Sequence, residues 1–271
     1  GDQTYVYSIR PDNFAGTVNA SNNYWGSDNP DFSVLIDKSR APNGSVDYFP
    51  YYSDVALSTL IYKMVTISED TVWATPHPNQ KVTILDGATL TLSAPMSLDT
   101  VTMREGAQVK SNLADQTGSV TTKSLRFSPD LSGTEWKALG MPLASAVINN
   151  STEEEILAPS QQSADNGIWF ARLKDNKTPE FVVDETAFGM AGLWAANGDT
   201  YTISSEGAFE FKTLEEPAAP TETGTFLMCS NPNTFTITLK QSAYILTADG
   251  TSFEQEANPE IKPFQSFVLT D

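Results

Sequence analysis

Hydrophobic and polar residues alternate in short runs along most of this chain, and Gly, Asn, Asp and Pro separate the runs. Alternation with a period of two predicts β-strands with one face in a core and the other in water, and the separating residues are typical of turns. Helical periodicity is nearly absent, and the best helical candidate, residues 55–64, also fits a strand. The pattern therefore predicts an all-β fold.

A 19-residue repeat occupies the middle of the chain. Residues 82–90 (VTILDGATL) recur as residues 101–109 (VTMREGAQV), and a weaker third copy begins at Val120. Each copy reads as a strand, a turn and a second strand, and the turn glycines, Gly87 and Gly106, are expected to have positive φ. Because one copy cannot bury its own apolar face, we expect the copies to stack as a β-solenoid. Two adjacent hairpins of a meander are the alternative.

From residue 125 onward the repeat is lost and short strand-like runs follow one another. Many short strands separated by turns predict a β-sandwich of the jelly-roll type. Two polar stretches, residues 149–167 with three consecutive Glu and the Pro-rich residues 214–224, are predicted to be surface loops. The predicted strands span residues 125–127, 136–139, 168–173, 181–183, 193–195, 200–203, 208–211, 225–229, 234–239, 243–247 and 267–269.

The amino-terminal part contains NNYWG at residues 22–26 and GSVDYFP at residues 44–50. These segments resemble the closing coil of right-handed parallel β-helix proteins of the pectin-lyase-like type. In that family an N-N-x-W-G segment and a later G-x-V-x-x-x-P mark the end of the helix. The resemblance implies that residues 1–63 are terminal coils of a parallel β-helix. Because a closing coil stands at the start, we expect the chain to be the tail of a longer protein.

Residues 130–271 carry a second resemblance. The segments WKALGMPL at residues 136–143, GDTYTI at 198–203 and IKPFQSFV at 261–268, with SNP at 230–232, resemble the carboxy-terminal β-sandwich of secreted surface proteins from Bacteroidetes-type bacteria. This resemblance implies an adhesin-like protein that is secreted or lies at the outer cell surface, and it carries no catalytic residue onto the chain. We therefore predict a short β-helix or solenoid region followed by a β-sandwich. The three predicted regions are terminal coils at 1–63, 19-residue repeats at 64–124 and the sandwich at 125–271.

Charge and cysteine content narrow the classes of partner. The 271-residue chain has a net charge of −18, which argues against nucleic acids and anionic membrane surfaces. Its single cysteine, Cys229, allows no internal disulfide and, in an apolar run, is expected to be a small buried side chain. The sequence has no apolar run of about 18 residues, so no membrane span is predicted within it.

Candidate catalytic and metal-binding groups are few. His77, the one histidine, lies between two prolines, where an exposed extended loop makes it a poor general base. One His with one Cys nearly excludes a transition-metal site, so no catalytic, cofactor-binding or metal-binding residue is assigned. If calcium binds, the first candidate ligands are Asp28, Asn29 and Asp31. Capping of loop amides is the alternative role for these carboxylates.

Four aromatic residues in the closing-coil segments are candidates for glycan contact: Tyr24, Trp25, Tyr51 and Tyr52. Aromatic rings can pack on the apolar face of a sugar. An all-β domain also needs large apolar side chains to fill its core and cover its end, and this is the more frequent role of such rings.

The leading hypothesis is a non-enzymatic secreted or cell-surface protein that serves adhesion, display or glycan contact. Its expected partner is a carbohydrate or a host or cell-surface protein. One alternative is an accessory carboxy-terminal part of a β-helix carbohydrate-active enzyme, a polysaccharide lyase or hydrolase, whose active site lies upstream of residue 1. A purely structural module for anchoring or secretion is the other.

Overall fold

Two compact units make up the chain. Unit 1 consists of residues 1–64 and 79–81, and unit 2 of residues 65–78 and 82–271. Apart from one four-residue helix, the regular secondary structure of the described chain is β-strand, which confirms the predicted all-β class. The computed structural model describes residues 16–36, 45–113, 119–129, 133–140, 146–150, 156–157, 168–183, 191–196, 201–205 and 208–271.

Unit 1 is organised by two parallel segments. Strand β1 pairs with β2 so that Thr17 lies beside Ser45, an offset of 28 residues. The parallel arrangement continues to a bridge between Tyr24 and Tyr52, and β3 then turns back antiparallel to β4. No helix forms in the candidate segment 55–64, which instead contains β4. The elements are β1 (Thr17–Asn19), α1 (Phe32–Leu35), β2 (Ser45–Asp47), β3 (Tyr51–Tyr52) and β4 (Leu60–Ile61).

Parallel strands follow between residues 64 and 128. They are β5 (Met64–Ile67), β6 (Thr71–Trp73), β7 (Lys81–Ile84), β8 (Thr89–Leu92), β9 (Met96–Arg104), β10 (Gln108–Ser111) and β11 (Val120–Ser128). Strands β6, β8 and β10 are neighbours in one sheet, and β5, β7, β9 and β11 are neighbours in a second. Apolar side chains alternate inward along these strands, as in β8, where Leu90 and Leu92 are fully buried.

The register of the first sheet equals the period of the sequence repeat. Leu90 lies beside Thr71 on one side and beside Val109 on the other, so residues 19 positions apart become neighbours. The turn glycines Gly87 and Gly106 have φ of +75° and +81°, as predicted. The weaker third copy at Val120 was aligned wrongly. Leu125, not Val120, lies beside Val101, an offset of 24 residues, because the connection before β11 is longer.

Antiparallel pairing dominates the remainder of unit 2. One sheet has the order β12-β17-β15-β16 and another the order β20-β25-β22-β23, while β18, β13 and β14 extend the parallel sheet beyond β11. Apolar side chains from the two four-stranded antiparallel sheets form a common cluster, in which the rings of Phe181 and Phe253 stack with their centroids 5.1 Å apart. The strands are β12 (Lys137–Gly140), β13 (Ala146–Asn150), β14 (Ile156–Leu157), β15 (Ile168–Leu173), β16 (Phe181–Val183), β17 (Ala191–Ala196), β18 (Tyr201–Ser205), β19 (Phe209–Glu210), β20 (Phe226–Ser230), β21 (Ile237–Thr238), β22 (Ala243–Leu246), β23 (Phe253–Glu256), β24 (Glu260–Ile261) and β25 (Ser266–Thr270).

The predicted loops had different outcomes. Residues 214–224 contain no strand, as predicted. The stretch 149–167 was partly wrong, because its first two residues belong to β13 and Ile156–Leu157 form β14. The three glutamates of that stretch lie outside the described residues, as do residues 141–143 and 198–200 of the surface-protein motifs. The division into regions at 63/64 and 124/125 stays a prediction.

A single hydrophobic cluster joins the repeats to the later strands of unit 2. It contains Leu90 and Val109 from the repeats together with Trp194 and Phe264. The Trp194 indole Nε1 donates a hydrogen bond to the carbonyl of Leu139, at 3.2 Å, so this buried polar group is satisfied. The repeats therefore share their core with the antiparallel strands.

A polar loop covers the outer edge of β10. Val109 N donates to Thr234 O and the Thr234 hydroxyl donates to Val109 O, both at 2.7 Å. Thr236 N donates to the side-chain oxygen of Gln108, at 3.0 Å. Since an open strand edge offers unpaired amides and carbonyls to other chains, these bonds close β10 against such pairing.

Candidate functional site

The aromatic segments of unit 1 lie side by side. Tyr52 N donates to Asn23 O at 2.9 Å, and a parallel bridge joins Tyr24 to Tyr52. Because successive side chains on an extended strand point to opposite faces, the two bridged tyrosines share one face and their neighbours share the other. Tyr24 and Tyr52 are half-buried, whereas Trp25 and Tyr51 are only 8% and 5% exposed.

Trp25 and Tyr51 belong to an aromatic core. The ring of Phe32 lies at its centre, stacked on Tyr48 at 3.7 Å, with Trp25 edge-on at 5.5 Å and Tyr51 edge-on at 5.3 Å. Phe49 contacts the same group at 5.5 Å from Tyr51. Burial keeps the faces of Trp25 and Tyr51 away from a sugar in this conformation, and these two rings take the core role that the sequence offered as the alternative.

Phe32 is absent from the set of residues predicted from the sequence. The local sequence signal is Asp31, the residue before it, which is a typical helix N-cap. The carboxylate of Asp31 accepts hydrogen bonds from Ser33 N at 3.0 Å and from the Ser33 hydroxyl at 2.6 Å. This is N-capping of α1.

Asparagine side chains shape the turn that leads to the tyrosines. The Asn23 amide donates to Ala20 O at 2.9 Å, and the Asn19 side-chain oxygen accepts from Ser21 N at 3.0 Å. Asn22, with φ of +58°, donates its backbone N–H to Pro50 O at 2.6 Å. Asn tolerates the left-handed region and bonds to nearby backbone, so paired Asn residues suit this corner.

The calcium candidates Asp28, Asn29 and Asp31 lie on the loop before α1. Asp31 already serves as the helix cap, and Asn29 N donates to the Ser27 hydroxyl at 3.1 Å. Burial, then the charge of Asp28 and then Tyr48 raise the pKa of the Tyr51 hydroxyl. Within the described ranges, no three His, Cys, Asp or Glu side chains come together in a group that could hold a metal ion.

The reactive side chains considered from the sequence are those of His77 and Cys229. The imidazole of His77 packs on the ring of Trp73, with centroids 4.4 Å apart. Cys229 is half-buried, and burial raises the pKa of its thiol to about 12, which leaves little nucleophilic thiolate. The Cys229 thiol therefore lacks the surroundings of an activated nucleophile.

Comparisons with known proteins gave no match, whether to protein-family models, to curated proteins or to solved structures. Among the helices in the described part of the chain, none has the length and apolar character needed to cross a membrane.

Proposed function

We propose that this chain is a non-enzymatic binding or display protein that works outside the cell, secreted or on a bacterial surface, and that it contacts glycans through Tyr24 and Tyr52. The observation that carries the proposal is the parallel bridge between these two residues. It sets two half-buried tyrosines next to each other on the face opposite the aromatic core. Two adjacent rings offer an apolar surface with hydroxyl groups at its rim, which suits a sugar with its apolar ring face and polar edge.

The proposed architecture is the end of a parallel β-helix, a short solenoid and a β-sandwich. The 28-residue offset between β1 and β2 fits one coil of a β-helix. The 19-residue register of β6, β8 and β10 fits a solenoid with smaller coils. The two antiparallel sheets with a common apolar cluster fit a sandwich. These features support the resemblance to secreted bacterial surface proteins, in which such modules serve display and adhesion.

A glycan array probed with the intact chain tests the proposal. We expect binding to at least one glycan class, and we expect the double change Tyr24→Ala with Tyr52→Ala to weaken it by roughly tenfold or more, as loss of interface tyrosines commonly does. Tyr24→Phe with Tyr52→Phe keeps both rings and should retain most of the affinity. Trp25→Ala is unsuitable as a probe, because loss of a buried ring costs about 3–5 kcal/mol of folding stability.

Tyr62 provides the matched control, since it is another half-buried tyrosine of unit 1. Tyr62→Ala should leave glycan affinity unchanged, while far-UV circular dichroism verifies that all variants are folded. An array without any bound glycan, or a double alanine variant that binds like wild type, would refute the assignment of glycan contact to this pair.

The second candidate function is an accessory part of a β-helix carbohydrate-active enzyme. The 28-residue parallel register favours it, because further coils of the same kind could stack on such a coil. The two functions differ in chemistry. An enzyme of this kind requires a Lys or Arg with acidic residues in β-helix coils, and a display protein does not. Assays for lyase and hydrolase activity distinguish them.

A further inference from the structure

A cleft of about 240 Å³ opens on unit 2. Its walls come from the turn at Glu105 and Gly106, from Trp136 and residues 137–139 of β12, from residues 246–248, and from residues 262, 263 and 265. Ligand pockets for drug-sized molecules have volumes of about 300–1,000 Å³. The cleft is therefore the right size for one sugar ring rather than for an oligosaccharide.

The charge of the cleft is opposite to that of the chain. Lys137 and Lys262 line it with one acidic residue, Glu105, although the whole protein has a net charge of −18. The Lys137 ammonium lies 3.9 Å from a Glu105 carboxylate oxygen, and each side chain is about one-third exposed. An ion pair this long and this exposed contributes little to stability, so the ammonium can take a second, closer anionic partner.

The neutral groups of the cleft suit a hydroxylated ring. Trp136 is half-buried, and Phe127 and Pro263 add buried apolar wall. The Gln265 side-chain oxygen accepts from Lys262 N at 2.9 Å, which orients the amide NH₂ as the remaining donor. Apolar faces combined with amide and carboxylate groups are the mixture that recognises the apolar face and the hydroxyl rim of a sugar.

The walls are held in place by close backbone packing. A Cβ on Gly250 would lie 2.6 Å from the carbonyl oxygen of Trp136 and 2.8 Å from its nitrogen, so only glycine lets this turn approach β12. The Thr247 hydroxyl bonds to the Asp249 carboxylate at 2.6 Å and fixes the same turn. A preformed cleft loses less conformational entropy when it binds a ligand.

We infer that this cleft binds a single sugar residue that bears a carboxylate, with Lys137 and Lys262 on the carboxylate, Gln265 and Glu105 on hydroxyl groups and Trp136 against the ring. The inference is independent of the tyrosine pair, because the two sites share no residue. It concerns binding alone.

Titration calorimetry with D-glucuronate, D-glucose and acetate tests the inference on the intact chain. We expect glucuronate to bind at least about tenfold more tightly than either control, because only glucuronate offers both the ring and the charge. Raising the salt concentration should weaken glucuronate binding, since the lysines are partly exposed. Equal affinity for glucose and glucuronate, equal affinity for acetate and glucuronate, or no heat up to about 10 mM glucuronate would each overturn it.

Variants separate the proposed contacts. Lys137→Met and Lys262→Met should each weaken glucuronate binding roughly tenfold. Lys212→Met, which removes an exposed lysine paired with Glu210 outside the cleft, should leave the affinity unchanged. Unaltered affinity in both cleft lysine variants would contradict the assignment.

Discussion

Replacement of Asn231 by alanine is the most informative perturbation of unit 2. The side chain is fully buried. Its Nδ2 donates to three backbone carbonyls, Phe235 O at 2.8 Å, Ile261 O at 3.0 Å and Lys262 O at 3.1 Å. Its oxygen accepts from Asn233 N at 2.9 Å and from the Asn233 amide at 3.2 Å. One amide thus joins the segments 231–235 and 261–262 and supports the loop that covers β10.

The expected loss of stability follows from these contacts. A buried polar group left without its partner costs about 1–3 kcal/mol. The alanine variant leaves several buried groups without their hydrogen-bond partner at once. An amide has two protons, so the three donated bonds are not independent, and the backbone can relax toward water. We therefore expect Asn231→Ala to lower the free energy of unfolding by about 3–5 kcal/mol, a large part of the 5–15 kcal/mol typical of whole proteins.

Urea unfolding followed by tryptophan fluorescence and far-UV circular dichroism measures this loss. With a slope of about 3 kcal/mol per molar urea, the midpoint for unit 2 should fall by about 1–2 M. Coincidence of the two probes is required for this conversion, because a chain with two units can unfold in two steps. Asn112→Ala is the matched control. Asn112 is exposed and makes one side-chain hydrogen bond, to the Ser93 hydroxyl at 3.0 Å, so the loss should stay below about 0.5 kcal/mol.

Asn231→Asp separates hydrogen bonding from side-chain volume. Aspartate has nearly the same shape but at neutral pH cannot donate to the three carbonyls, and it places a charge in the core. It should therefore destabilise unit 2 at least as strongly as alanine does. An aspartate variant as stable as wild type, or an alanine variant whose midpoint matches that of Asn112→Ala, would refute the reasoning.

Three further predictions concern single positions of unit 2. Gly192→Ala should lower the unfolding free energy by about 1–3 kcal/mol, because its Cβ would collide with the fully buried ring of Phe170; an unchanged urea midpoint would show that the ring can shift. The Cys229 thiol, with its pKa raised by burial to about 12, should react with a disulfide reagent at pH 8 at least about tenfold more slowly in the native protein than in urea, and equal rates would contradict its burial. Hydrogen bonds from Thr247 and then Thr251 lower the pKa of the Asp249 carboxyl, so its contribution to stability is present above the unfolded value near 3.9 and is lost as the pH falls through the lower folded value. Thr247→Val should raise the Asp249 pKa in a carbon-detected NMR titration, and an unshifted titration curve would disprove that cause.

Local pattern was sufficient for most strands of the fold. Every run predicted after residue 125 overlaps an observed strand, and the runs 168–173 and 181–183 coincide with β15 and β16. These segments bury alternate apolar residues or carry β-branched and aromatic side chains, so their sequence alone is typical of a half-buried pleated surface. The positive φ of the turn glycines in the repeat was equally predictable, because these turns require it and other residues rarely adopt it.

Strands with little apolar content escaped the prediction. Strand β23 has the sequence FEQE and exposes its last three residues, and it pairs with one neighbour only, β22, in the order of its sheet. Its position is set by backbone pairing at a sheet edge, and charged side chains are common there. Strand β14 consists of two apolar residues, but it is short, lies at the end of its sheet and is surrounded in sequence by polar residues. The register of β11 was missed for a related reason, since the length of a connection does not change the hydrophobic pattern that follows it.

The four aromatic rings of the candidate site show what the sequence predicts and what only the strand pairing adds. Tyr24 and Trp25 are adjacent in sequence, as are Tyr51 and Tyr52, so the period of two along an extended chain directs one ring of each pair inward and one outward. A platform of four rings on one face was therefore excluded by geometry from the beginning. The sequence does not state which ring of each pair faces the core, nor that the two outward rings meet. The burial of Trp25 and Tyr51 identifies the inward rings. The meeting of the outward rings follows from the register that sets residue 24 beside residue 52, because a shift of one residue would place Trp25 beside Tyr52 and bring an inward ring next to an outward one.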